Sequence, residues 1–415
     1  MVIRNDDYYS SEFIGSLQLE ANRIQSIKLS REKHYFTAIV ILLNLSSAAY
    51  ATGNNQYFPY GVLGATLIAF ARTPPSKFLF IPKNKLFFLF GIFVISLILS
   101  SLYHLEASLF LTLGGMLCSF LLINYFRVRL NKQMLIHVLK VYTFIQLFLL
   151  VYSIAKSGFS LIYFQGVFRN PNTTGLIAST GLLSLIPLLY LEKRKLLSKI
   201  VVVFLILFFL IVTIASSSRT SFIVSLLGLL LAPFLDGNLF SKKKIRFFMI
   251  LIFLLGIFMQ TDFFYDSIYY KFKFYAETGD VLNERGDVWE IALSNPAIFG
   301  YGRNMAVENH VGESIYIAVL FQFGLICLAF LLLVIFLSIY SQLPKKKNLF
   351  QESRSTLICI SLGFALQGFA ASVFGASIYW LWIFGIGFSI YEISLVRRTY
   401  LKSLFTNGNS RKEDL

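Results

Sequence analysis

Charged side chains are scarce in this sequence. Only 14% of its 415 residues are Asp, Glu, Lys or Arg, whereas 56% are hydrophobic. A water-soluble chain of this length needs more polar surface than that. The mean hydropathy of +0.69 and the 44 phenylalanines indicate a chain whose solvent is mostly lipid. Most soluble enzyme classes are thereby excluded, and the expected fold is a single all-α polytopic membrane domain.

Cysteine is also rare. Cys118, Cys327 and Cys359 lie inside apolar runs, which is typical of packing residues rather than of disulfide partners or metal ligands. The sequence contains no cluster with metal-ligand spacing, no glycine-rich phosphate loop and no nucleophile elbow. We therefore expect no metal and no cofactor, and any chemistry should be metal-independent.

Acidic residues are outnumbered by basic ones, which gives a formal net charge of +16. Roughly twelve apolar stretches follow Tyr35, most of them about 15 to 20 residues long. When these alternate across a membrane, 29 of the 37 Lys and Arg fall on the side of the N-terminus, seven fall opposite and Lys140 lies within a span. This positive-inside pattern indicates cytoplasmic termini and gives no reason to expect a nucleic-acid partner.

The predicted organisation has three parts. Residues 1–34 lack the apolar region of a signal peptide and form a cytoplasmic segment. Residues 35–396 form the transmembrane domain of about 12 helices, with 10 to 12 as the safer range. Residues 397–415 form a cytoplasmic tail. External loops cover 156–174 and 261–313, and the larger one precedes the tenth helix.

The larger external loop carries most of the acidic residues of that face. The residue pattern within this loop predicts a short helix. Asn283 can cap this helix, Val288, Trp289 and Ala292 give it an apolar face, and Pro296 marks its end. Long loops of this kind often carry function.

Arginine on the external face opposes the positive-inside rule, so its presence there requires an explanation. Arg219 stands between two apolar runs with almost no loop, Arg285 begins the predicted short helix, and Arg169 precedes an Asn-Pro-Asn turn. Guanidinium groups suit phosphate oxygens, so two of them could hold a lipid pyrophosphate. Alternatively, Arg219 snorkels to headgroups or satisfies helix-end carbonyls, Arg285 stacks on Trp289 or pairs with a nearby acid, and Arg169 stabilises its loop.

His310 and Glu313 immediately precede the apolar run that begins at Ser314. The N-terminus of a helix carries partial positive charge, which favours a neutral His310 and an ionised Glu313. Both are then in the form that a general base requires. The alternative is that Glu313 only compensates the helix dipole.

These features resemble the O-antigen ligase and polymerase superfamily of bacterial membrane proteins. The resemblance is carried by the order of the following pieces, from Gly166 to Gly324: Gly166–Asn172, Ser218-Arg219, Arg285-Gly-Asp-Val-Trp289 with Pro296, Gly300-Tyr-Gly302, and Glu313-Ser-Ile-Tyr316. Ligases of this group usually have His-Asn-x-Tyr at the last junction. Glu313 and Ser314 in its place favour a polymerase.

The resemblance implies a GT-C-like, inverting and metal-independent glycosyltransferase at the external face of the bacterial cytoplasmic membrane. Its substrate would be an undecaprenyl-pyrophosphate-linked oligosaccharide, with membrane lipid as surroundings and a chain-length regulator and a flippase as further partners. Arg219 and Arg285 would bind the pyrophosphate, and Glu313 or His310 would act as the base. Arg169, Arg303 and Tyr316 are the predicted substrate-binding side chains.

Three rival functions remain open at the level of sequence. An O-antigen-type ligase would transfer a finished glycan to a different acceptor. A lipid-linked saccharide flippase or transporter would carry ionisable residues along a central cavity, whereas here the charge lies at the rim. A non-catalytic membrane scaffold would tolerate replacement of Arg219, Arg285 and Glu313.

Overall fold

The computed structural model describes residues 6–54, 57–73, 84–191, 196–232, 249, 253, 256–277, 285–308, 311, 314–343, 356–370 and 376–410. Within these ranges every regular element is helical, as the sequence predicts. The helices are α1 Asp6–Ala51, α2 Phe58–Arg72, α3 Lys85–His104, α4 Ala107–Arg129, α5 Lys132–Ser157, α6 Pro171–Leu191, α7 Leu196–Ala215, α8 Arg219–Leu231, α9 Asp262–Phe264, a π-helical turn Tyr265–Tyr269, α10 Tyr270–Glu277, α11 Arg285–Ser294, α12 Gly302–Glu308, α13 Ile315–Phe323, α14 Leu325–Gln342, α15 Ile358–Ala370 and α16 Ser377–Ser410.

Six helical segments in the described part of the chain are long and apolar enough to cross a membrane: Leu29–Ala51, Lys85–His104, Lys132–Ser157, Pro171–Leu189, Leu325–Gln342 and Ser377–Leu395. Four shorter helical segments are also apolar: Phe58–Arg72, Ile200–Ala215, Arg219–Leu231 and Ile358–Phe369. The chain is therefore an all-α protein with the helices of a membrane protein. The figure of about twelve spans stays a prediction.

The end of α2 and the end of α4 meet α1 at one end of the bundle. The Arg129 guanidinium lies 3.0 Å from the Glu32 carboxylate and also donates a hydrogen bond of 3.0 Å to the carbonyl of Arg72. Arg72 in turn lies 3.7 Å from the centroid of the Tyr35 ring. Arg72 and Arg129, which the charge pattern assigns to one side, thus share one end of the fold.

The opposite end, which we call the loop-rich end, comprises residues 52–54, 105–106, 158–170, 216–218 and the described parts of 261–314. Backbone hydrogen bonds join these segments, from Arg169 N to Ala51 O at 2.9 Å and from Phe164 N to Ala215 O at 2.8 Å. Ser100, in the last turns of α3, donates a hydrogen bond of 2.8 Å to the carbonyl of Phe299. The segments that the sequence assigns to the external face therefore converge at one end.

Helix α13 is buried on two opposite faces. Its residues Ile315, Tyr316, Val319 and Phe323 belong to the main core of the bundle. Ile317 and Phe321, one turn apart, belong to a separate apolar cluster. That second cluster is completed from α11, α12 and the residues around them: Val288, Trp289, Ala292, Tyr301, Ala306 and Val311.

Helix α11 confirms the short helix predicted in the long loop. It covers Arg285–Ser294, and it packs through the predicted apolar face of Val288, Trp289 and Ala292. The proposed cap, Asn283, lies outside the described residues.

A glycine divides the tenth apolar run, Ser314–Leu343, which the sequence shows as one continuous stretch. Gly324 has φ +94° and ψ 178°, a conformation open almost only to glycine, so α13 ends there and α14 begins. The backbone of Ile298–Gly300 passes close to Gly324, and Leu325 N donates a hydrogen bond of 3.0 Å to Ala297 O. Both ends of α13 consequently lie at the loop-rich end.

Candidate functional site

Arg219 is the first residue of α8 and follows a three-residue connection from α7. This connection, Ser216–Ser218, is buried, and Ser217 has a left-handed backbone with φ 54°. A Cβ atom on Gly175 would lie 2.6 Å from Ser216 Oγ, so glycine lets the first turns of α6 pack directly on the connection. The backbone of Arg219 is thus held at the loop-rich end by the packed connection.

Lys271 is a second cation beside the connection that precedes Arg219. The sequence analysis did not predict it as a site residue. Its Nζ donates a hydrogen bond of 3.1 Å to the carbonyl of Ser217 and lies 4.4 Å from the centroid of the Tyr163 ring. Burial, and secondly the positive charge of Arg219, lower the pKa of Lys271 to about 8. The two cations are therefore close enough to repel each other.

The segment that carries Lys271 is fixed to the bundle by apolar packing. Phe264 and Ile268 form a cluster with Ile214 of α7 and Phe222 of α8. Ser267 Oγ donates a hydrogen bond of 3.2 Å to the carbonyl of Leu161. The π-helical turn Tyr265–Tyr269 carries two of these anchors, Ser267 and Ile268, and ends two residues before Lys271; such turns are frequent at functional sites.

Helices α8 and α15 pack antiparallel in a register that two contacts define. Cys359 Sγ lies 3.8 Å from Gly228 O, and a Cβ on Gly363 would lie 3.3 Å from Val224 Cγ1. From the first contact to the second, the residue number rises by four in α15, from 359 to 363, and falls by four in α8, from 228 to 224. Arg219 and Gly368 are each nine residues, or about 13.5 Å, beyond the first contact.

This register puts the start of α8 and the junction at Ser314 at the same end of α15. Ser314 is buried, and its Oγ donates a hydrogen bond of 3.1 Å to the carbonyl of Gly368. The start of α8 and the start of α13 therefore both lie beside the C-terminal part of α15. Because Arg219 and Ser314 are far apart in the sequence, no local pattern predicts this arrangement.

The described residues include the neighbours of the two candidate general bases and of one candidate pyrophosphate ligand, but not those groups themselves. Glu313, His310 and the side chain of Arg285 lie outside the described residues. Val311, between His310 and Glu313 in the sequence, is buried in the cluster that also holds α11. The backbone of Arg285 begins α11, one turn before the residues of α11 that pack in this cluster.

The remaining predicted ligands occupy different surroundings. The exposed side chain of Arg169 lies against Gly53, with Nε 3.2 Å from the position of a Cβ there. Arg303 is at the start of α12, where its backbone N–H and that of Asn304 donate hydrogen bonds of 2.8 and 3.1 Å to Glu106.

Tyr316 is buried. Its hydroxyl donates a hydrogen bond of 2.6 Å to the carbonyl of Ala365, and its ring packs on Phe369. These contacts give Tyr316 a packing role, and its contact with substrate stays a prediction.

The chemistry available around Arg219 suits an anion. Ser218 precedes α8 without making a side-chain cap, so the first N–H groups of α8 add partial positive charge to that of Arg219 and Lys271. The described residues contain no group of three or more His, Cys, Asp or Glu that could hold a metal ion.

No protein-family model and no curated protein matches the chain. The resemblance to the O-antigen ligase and polymerase superfamily therefore stays a prediction based on its motifs.

Proposed function

We propose that this protein is a polysaccharide polymerase of the bacterial cytoplasmic membrane. In this proposal a GT-C-like bundle of about twelve helices joins oligosaccharide repeat units carried on undecaprenyl pyrophosphate. The reaction occurs at the external face, needs neither metal nor cofactor, and inverts the anomeric carbon. The growing chain is the donor, and a lipid-linked repeat unit is the acceptor.

The observation that supports this proposal best is the α8–α15 register. It puts Arg219 and Gly368 at the same end of the two helices, and Gly368 accepts a hydrogen bond from Ser314, the residue after Glu313. A polymerase of this kind requires a cation for the departing diphosphate within a few ångströms of the base that activates the attacking hydroxyl. A scaffold or a packing role for Arg219 does not require that proximity.

The proposed reaction is a single displacement. The acceptor hydroxyl attacks the anomeric carbon of the donor sugar, its proton passes to Glu313 or His310, and the bond from that carbon to the diphosphate oxygen breaks. Arg219 and Arg285 neutralise the charge that develops on the diphosphate. Charge stabilisation by the two arginines is expected to be the larger contribution to the rate.

The decisive experiment gives the purified full-length protein one defined lipid-linked repeat unit in the presence of a chelator. The glycan is then separated on a gel. A ladder of products supports the polymerase. A single transferred product, formed only when a second acceptor is present, identifies a ligase, and unchanged substrate with folded protein contradicts both.

A further inference from the structure

Two helices carry rows of exposed apolar side chains that run toward the loop-rich end. On α7 the row consists of Phe204, Leu207 and Ile211, which recur every three or four residues and therefore share one side of the helix. Helix α5, which is long and apolar enough to cross a membrane, exposes a similar row: Phe144, Phe148, Val151 and Tyr152. In a membrane-spanning bundle such rows face the acyl chains of the lipid. We call them the lipid-facing rows.

The lipid-facing row of α7 ends beneath residues 262–270. Ile214 lies one turn beyond Ile211 in the same row, yet it is only 2% exposed. Its cover is supplied by Phe264 and Ile268, with which it forms one apolar cluster. Residues 262–270 therefore lie at the level where the exposed apolar surface of α7 stops, and this level is the boundary between hydrocarbon and headgroups in a bundle of this kind.

The outer side of residues 262–270 is rich in tyrosine. Tyr265, Tyr269 and Tyr270 are 44%, 46% and 53% exposed, and the rings of Tyr265 and Tyr269 lie 5.1 Å apart. A tyrosine side chain has an apolar ring and a polar hydroxyl, so it is enriched where a membrane meets water. Three exposed tyrosines at the end of a lipid-facing row are in the place where that property is useful.

The loop that follows α5 adds aliphatic side chains to the same surface. Leu161 and Ile162 are exposed, and the carbonyl of Leu161 accepts a hydrogen bond of 3.2 Å from Ser267, which lies between Tyr265 and Tyr269 in the chain. This loop connects the ends of α5 and α7, because Phe164 N donates a hydrogen bond to Ala215 O. Both lipid-facing rows thus lead into one continuous exposed surface.

We propose that Leu161, Ile162, Tyr265, Tyr269 and Tyr270 form an interfacial surface that inserts into the lipid leaflet at the loop-rich end. The rings and the aliphatic side chains enter the upper acyl region, and the tyrosine hydroxyls stay among the headgroups. Residues 262–270 are then a membrane-bound segment of the long loop. The inference requires a bilayer and does not depend on the polymerase reaction.

The composition of the interfacial surface favours lipid over a glycan. A sugar is rich in hydroxyl groups and needs polar partners, which Leu161 and Ile162 cannot supply. Acyl chains have no such requirement. The continuity of this surface with the exposed rows of α5 and α7 points to the same occupant that those rows face.

Spin-label accessibility tests the proposal in vesicles of phosphatidylethanolamine and phosphatidylglycerol. The full-length protein, with its three cysteines replaced by alanine, carries one nitroxide at Leu161→Cys or Tyr269→Cys. Each label should collide more often with oxygen, which concentrates in lipid, than with a water-soluble nickel complex, and should lie about 5 to 10 Å below the headgroup surface. Phe204→Cys is the deep control, and Glu308→Cys, at an exposed acid of α12, is the aqueous control.

Two results would overturn the proposal. Labels at positions 161 and 269 that behave like the one in Glu308→Cys would place the surface in water, where a glycan or another soluble partner could reach it. Labels that neither oxygen nor the nickel complex reaches, with spectra broadened by a second nitroxide, would show that another copy of the chain covers the surface.

A tryptophan pair repeats the test with a smaller change to the protein. Tyr269→Trp and Phe204→Trp each replace one exposed aromatic ring by another, so both variants should fold. Lipids brominated near the headgroup should quench the added emission of Tyr269→Trp more than lipids brominated near the chain end. Phe204→Trp should show the opposite order, because Phe204 is eleven residues, or about 16.5 Å, from Ala215 at the end of α7. The same order in both variants, or no quenching of Tyr269→Trp, would contradict the proposal.

Discussion

Ser314 donates its hydroxyl hydrogen to the carbonyl of Gly368, and this bond ties the start of α13 to the last turn of α15. Because α15 packs antiparallel to α8, the start of α8 and the start of α13 lie at the same end of α15. The main support for the proposed function is therefore the register of two helices, which can be measured independently of activity.

Paired cysteines test that register. In a protein whose own cysteines are replaced, Val224→Cys with Gly363→Cys should form a disulfide on mild oxidation, because a Cβ at 363 would lie 3.3 Å from Val224 Cγ1. Val224→Cys with Ser361→Cys is the control, since Ser361 faces Ser338 at 3.1 Å. Cross-linking of the control pair alone, detected by mobility on a non-reducing gel, would show that the register is wrong.

Removal of the arginine charges should abolish most of the turnover. Arg219→Ala and Arg285→Ala are each expected to lower the rate by on the order of 100-fold or more, the size typical of losing one group that stabilises developing charge. Arg→Lys should not restore the rate if the guanidinium binds two oxygens at once. Polysaccharide output equal to that of the unmodified protein in both alanine variants would support a scaffold instead.

Gly324→Ala should destabilise the fold. The backbone of Gly324 has a φ of +94°, and a methyl group there would overlap the backbone of Ile298 and Gly300, so we expect a loss on the order of 3 kcal/mol. Gly91→Ala is the matched control, because a Cβ at Gly91 meets only Phe120 at an ordinary 3.6 Å. Thermal unfolding followed by tryptophan fluorescence checks both, and equal melting temperatures would contradict the predicted overlap.

Lys271 should make stability depend on pH in the alkaline range. Its pKa is about 8 in the folded protein against an ordinary 10.5, so between these values the unfolded chain holds the extra proton. The free energy of unfolding then rises with pH across that interval. The melting temperature of the unmodified protein should increase relative to Lys271→Met as the pH goes from about 7.5 to 9.5. A difference that stays constant over this pH interval would count against a partly buried ammonium at Lys271.

Local features of the site followed from the sequence, and distant contacts did not. The serine connection before Arg219 and the helix from Arg285 to Ser294 could be predicted because apolar periodicity and breakers define them within a few residues. The contact of Lys271 with Ser217 joins residues 54 positions apart, and no local pattern encodes it. The break between α13 and α14 at Gly324 was not predicted either, because an apolar run does not indicate which of its glycines adopts a positive φ.

The two buried faces of α13 have a mechanical consequence. Helix α13 packs on one face against Trp289 and its neighbours and on the opposite face against the main core. It therefore has no exposed face along which it could slide. A displacement of α11 must therefore also displace Ser314, and through the bond of Ser314 to Gly368 it reaches the last turn of α15. In the proposed polymerase, substrate that contacts α11 would therefore be mechanically coupled to α15, the helix on which α8 packs.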